Sequence, residues 1–82
     1  MNDKQIENLV EQFNSQLDLQ HPYKILERII EGSYNQMEEF VDCMFEEYII
    51  REKITLSDSD RDSTVLSDSL NEVVMRLQIN FN

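Results

Sequence analysis

The chain is 82 residues long and 40% hydrophobic, and its 17 acids against 7 lysines and arginines give a formal net charge of −10. That length predicts a single domain over residues 1–82, with a modest core to which oligomerisation or a partner can contribute. One Gly, one Pro and no Trp leave too little turn chemistry for a sandwich or barrel, and the acid excess disfavours direct contact with nucleic acid or an anionic membrane.

Asn2 or Asp3 is placed to cap a first helix, in which Ile6, Leu9, Val10, Phe13 and Leu17 recur at the three- and four-residue spacing of one apolar face. It should run to Leu17 or Asp18. Pro22 then interrupts the pattern, because the residue before a proline is pushed out of helical geometry while proline itself suits a first helical position. From Pro22 a long central helix is expected, with Leu26, Ile30, Met37, Phe40, Met44 and Tyr48 as its seam. Ile29, Tyr34, Val41, Phe45 and Ile49 widen that seam, which reaches Ile54. Gly32 and Ser33, with Gln36 three residues later, allow either a break there or a kinked continuation.

Ser57, followed by Asp58 and Asp60, makes a good helix start, and Ser63 is the latest residue at which the last helix would begin. Its stripe is Leu66, Leu70, Val73, Leu77 and Phe81. The expectation is an all-α protein, a small three-helix bundle that becomes four helices if the chain breaks at Gly32. The core should gather Phe13, Leu26, Ile30, Met37, Phe40, Met44, Leu70, Val73 and Leu77.

Most chemical motifs fail on inspection. Asp58, Asp60 and Asp62 match the first ligand positions of a calcium loop, but Ser63 and Ser69 stand where that loop needs its Gly and its bidentate Glu. Asp68-Ser69-Leu70 is similar to the attachment triplet of acyl carrier proteins, yet those proteins place it mid-chain with further helices after it. Ser67-Asp68-Ser69-Leu70-Asn71 resembles, at Ser67 and Leu70, the Ser-Gln-Glu-Leu-Asp signature of small helical-hairpin phosphatases of response regulators. Asn71 occupies the position of that family's functional Asp.

A lone His21 and a lone Cys43 cannot assemble a metal cluster, and Cys43 reads as a small packing residue on the central helix. A single cysteine also forms no internal disulfide. With neither a leader pattern nor a bilayer-spanning run, the expected compartment is the cytoplasm. No cofactor, no metal and no catalytic residues are expected.

The positive signal is charge. Glu27, Glu31, Glu38, Glu39, Asp42, Glu46 and Glu47 stand against the single base Arg28 across the central segment, and like charges at helical spacing cost stability. A basic partner would relieve that repulsion. The leading expectation is therefore a non-enzymatic, regulatory or inhibitory binding protein that occludes a basic protein surface through Glu31, Glu38, Glu39, Asp42, Glu46 and Glu47. A second is a nucleic-acid mimic of the kind phages and mobile elements use, since acids about 6 Å apart along a helix approximate a row of phosphates. A third, from a different class, is a structural homo-oligomer or homodimer, because Tyr34, Phe45, Ile49 and Ile50 widen the apolar surface of the central helix.

Overall fold

A computed structural model describes residues 1–18, Ile25, Glu27 and 37–81, with Asp18, Asn80 and Phe81 described by backbone alone. Four helices and no strand are present among these residues: α1 (Asp3–Asp18), α2 (Met37–Arg51), α3 (Asp58–Arg61) and α4 (Thr64–Phe81). The protein is a small all-α helical bundle. Continuity through Gly32 and the setting of His21, Pro22, Leu26, Ile30 and Tyr34 lie outside the described residues.

The starts of α1, α3 and α4 follow from local donors and acceptors. Asn2 Oδ1 accepts the Gln5 amide at 2.8 Å while Gln5 Oε1 accepts the Asn2 amide at 2.9 Å, a reciprocal cap that satisfies two amides otherwise left open at a helix start. Ser57 and Asp60 repeat the arrangement at α3, with Ser57 Oγ accepting the Asp60 amide and Asp60 Oδ2 accepting the Ser57 amide, both at 3.1 Å. Ser63 Oγ accepts the Val65 amide at 3.2 Å at the head of α4. Both serine starts are thus used, and they give two helices where one was expected.

The central helix stops short of Ile54, at Arg51. Lys53 adopts a left-handed backbone with φ 57, the Ile54 amide donates to the Ile49 carbonyl at 2.8 Å, and the Lys53 amide donates to the Ile50 carbonyl at 3.2 Å. These two bonds close a Schellman turn. Ile54 then packs against the core, so the apolar pattern continues past the point where the helix ends. A lysine holds the left-handed position that glycine usually takes, at a backbone cost on the order of 1 kcal/mol or more.

Ile6, Leu9, Val10, Phe13 and Leu17 of α1 are all buried, as are Phe40, Val41, Met44, Phe45, Tyr48 and Ile49 of α2 and Leu66, Val73, Val74 and Leu77 of α4. Helix α4 packs along both α1 and α2. Phe13 ties α1 to α2, meeting Phe45 edge to face at 5.3 Å and Tyr48 at 5.7 Å between ring centroids, contacts worth about 0.5–1.5 kcal/mol each beyond burial. Ile25 and Leu56 complete the cluster.

Two expected core residues sit at its margin. Met37 and Leu70 are half-buried against the cluster, Leu70 because it walls a surface groove, while Val74 is buried beside Val73. No described helix is long and apolar enough to cross a membrane.

Candidate functional site

With six residues of α2 turned inward and about 100° of rotation per residue, Glu38, Glu39, Asp42, Cys43, Glu46, Glu47 and Ile50 fall on its outer side. Glu38, Glu39, Asp42 and Glu47 are exposed, and Glu46 is half-buried. The structure brings these five expected acids onto one face; Glu31 lies outside the described residues. Successive turns stack Glu38, Asp42 and Glu46 in a row, the closest like-charge spacing a helix offers.

Asp42 registers the crowding. Its pKa is raised above the ordinary aspartate value, first by partial burial and then by the negative charges of Glu38 and Glu46. Holding this carboxyl ionised therefore costs the folded state.

The expectation that this face lacks any compensating base fails at one position. Arg61 of α3 places Nη1 2.6 Å from Glu46 Oε1 and Nη2 3.4 Å from Oε2. The pair raises the arginine pKa, through hydrogen bonding first and charge second. Both partners are substantially exposed, so the pair contributes little to stability. It does remove Glu46 from the set of free carboxylates. A base fifteen residues downstream, beyond a helix end and a turn, carries no periodic signal that would assign it to Glu46. For Glu38, Glu39, Asp42 and Glu47, no ion pair forms among the described residues.

Beside this row lies an open groove of about 300 Å³, lined by Asp42, Phe45, Glu46, Arg61, Leu66, Ser67 and Leu70. Its floor is apolar and its α2 rim acidic. Within the acidic face itself Ile50 stands 74% exposed, and Cys43 is exposed too. Cys43 is therefore not the packing residue its place on the central helix suggested, because it falls on the outward side of that helix. The apolar surplus inferred for oligomerisation shrinks for the converse reason: Phe45 and Ile49 are each 2% exposed and belong to the core.

A second groove, of about 340 Å³, runs between α1 and α4 and is lined by Glu7, Glu11, Asp68 and Glu72 among others, with Arg76 at its edge. Arg76 reaches Glu11 at 3.3 Å. These acids escaped the sequence reading because they are contributed by two helices far apart in the chain.

The Asp58–Asp62 segment is arranged for structure. Asp60 is buried, with Oδ1 accepting from the Met1 ammonium at 2.8 Å and Oδ2 accepting the Ser57 amide. Its pKa is lowered, chiefly by the ammonium hydrogen bond and then by the Ser57 amide. Asp58 and Asp62 point to solvent. No group of three or more His, Cys, Asp or Glu side chains is placed to hold a metal ion among the described residues. Ser67 and Asn71 are exposed near the start of α4, and Ser67 lines the groove shared with Asp42, Glu46 and Arg61.

No family model matches the chain, and no curated protein or solved structure matches it either.

Proposed function

We propose that this chain is a non-enzymatic regulatory or inhibitory binding protein, which occludes a basic surface of a protein partner with the outer face of α2. The observation that carries this reading is the face of carboxylates at Glu38, Glu39, Asp42 and Glu47, which form no ion pair among the described residues, with the Asp42 pKa raised first by partial burial and then by Glu38 and Glu46. These acids have no partner in the described fold and oppose one another, so a lysine- or arginine-bearing surface relieves a cost already present in the free protein. Exposed Ile50 amid the acids adds an apolar contact inside a charged rim, the usual make-up of an interface.

The nucleic-acid mimic remains the second reading, favoured by the carboxylate row of Glu38, Asp42 and Glu46 rising about 6 Å per step. The Arg61 contact to Glu46 weighs against it, because it neutralises one end of that row. Work in the cytoplasm accords with both readings.

The test is charge reversal at Glu39, Asp42 and Glu47 to Lys, which spares the Glu46–Arg61 pair. A pull-down from the native host at low and high salt should lose the partner in the variant and weaken with salt for the parent. A thermal melt should show the variant folded at least as stably as the parent. A folded variant that retains the partner would overturn the reading. Displacement of the captured partner by duplex DNA would favour the mimic.

A further inference from the structure

The groove of about 340 Å³ between α1 and α4 is walled by one stripe of each helix. Val10 and Val73 are its buried apolar floor, and half-buried Val65 extends that floor toward the start of α4. Exposed acids stand on both rims, Glu7 and Glu11 on α1 and Asp68 and Glu72 on α4, each pair one turn apart. Arg76 meets Glu11 at 3.3 Å, whereas Glu7, Asp68 and Glu72 form no ion pair among the described residues. We propose that this groove docks a basic amphipathic helix of a protein partner, with its apolar seam on the valine floor and its lysines or arginines reaching both acidic rims. The groove shares no residue with the outer face of α2.

Charge and shape together select that occupant. A second copy of this chain would bring its own net charge of −10 against the rims, and nucleic acid or an anionic membrane is repelled for the same reason. A metal ion does not fit, because no group of three or more His, Cys, Asp or Glu side chains is placed to hold one among the described residues. A wholly apolar helix would cover Glu7, Asp68 and Glu72 and strip their water without supplying a counter-charge. A basic amphipathic helix meets both demands, since it carries a narrow apolar seam with charged side chains flanking it, and the trough offers an apolar floor with acids on either side. Arg76 shows the contact in miniature, as a guanidinium on one wall reaching a carboxylate of the other. From Val65 to Arg76 the α4 stripe extends about 16 Å, the length of three helical turns.

The probe is a synthetic helical peptide of about fourteen residues, with a leucine seam flanked by lysines, beside a second peptide in which serines replace the leucines. Each is titrated into the full chain in about 0.15 M salt, where charges more than about 8 Å apart are largely screened. The leucine peptide should bind one to one, shift the amide resonances of Val10, Glu11, Val65 and Glu72 most, and bind more tightly than the serine peptide. Replacing both Glu7→Gln and Glu72→Gln, exposed positions whose shape is kept, should weaken it roughly tenfold or more with the melting temperature held. Glu39→Lys with Asp42→Lys and Glu47→Lys should leave the groove shifts in place, so a failure of the α2 reading and a failure of this one are told apart. Shifts centred on the outer face of α2, equal binding of the two peptides, or undiminished binding by the glutamine variant would each overturn the proposal.

Discussion

Two acidic stretches of this chain have similar composition and opposite fates. Around α3, Asp60 meets an ammonium and an amide, and its pKa falls. On the outer face of α2, Asp42 is partly buried and stands beside Glu38 and Glu46, and its pKa rises. Acid density alone therefore says nothing about use. What separates the two is whether the fold delivers a donor: Asp60 is met by the start of α1, whereas on the outer face of α2 Glu46 alone forms an ion pair among the described residues, with Arg61. Asp60 thereby joins two segments of the chain, while Glu38, Glu39, Asp42 and Glu47 form no ion pair among the described residues.

That contrast can be broken on the inner side of α2, where the largest effect is expected. If the helix is held by apolar packing and not by its acids, truncating Phe40, which is 0% exposed, to Ala should cost about 3–5 kcal/mol. That loss is a large part of a small domain's stability. Urea denaturation of Phe40→Ala measures it; an unchanged midpoint would mean that the inner and outer sides have been assigned wrongly. A middle-sized effect is expected at the α3 cap. Ser57→Ala removes the hydroxyl that accepts the Asp60 amide and should cost about 1 kcal/mol. The same substitution at Ser59, exposed and within α3, should cost much less. Equal losses at Ser57 and Ser59 would show that the cap carries no special weight.

The apolar spacing made the helical character, the α1 face, most of the α2 core and Leu66, Val73 and Leu77 of the α4 stripe legible in the sequence, because a 3.6-residue period projects directly onto burial. Ending the central helix was harder. Ile54 keeps the apolar phase, so periodicity runs on through a turn that only the left-handed Lys53 reveals. Cys43 was misjudged for the opposite reason, since a small apolar residue on a core helix can lie on either side of it. At the candidate site, the shared face of Glu38, Glu39, Asp42, Glu46 and Glu47 followed from spacing alone. Arg61 on Glu46, Met1 on Asp60 and the acids between α1 and α4 did not, because contacts between distant segments leave no local period to detect.

The smallest expected effect is also the one that separates the two acidic stretches within a single experiment. For Asp42 the folded-state pKa lies above the unfolded value, so between the two the native state binds more protons than the unfolded chain. Its ionisation penalty is fully present above the folded pKa and is relieved as pH falls through it. For Asp60 the folded pKa lies below the unfolded value; its contribution is fully present above the unfolded pKa and is lost as pH falls through the folded one. Asp42→Asn removes the first behaviour and leaves the second. Near neutral pH the variant should match the parent or exceed it by a few tenths of a kcal/mol, on the scale of about 0.2–0.5 kcal/mol for a like-charged pair one turn apart. The gain should shrink as pH falls and the parent's Asp42 protonates, at a higher pH than it does in the unfolded chain. Asp60→Asn should do the reverse, trailing the parent near neutrality and converging with it only at lower pH. Urea titrations of parent and both variants across about pH 3 to 7 give the two difference curves. Should they share one sign and one midpoint, the acids of α2 and of α3 would be electrostatically alike, and the reason for reading the α2 face as a binding surface would be lost.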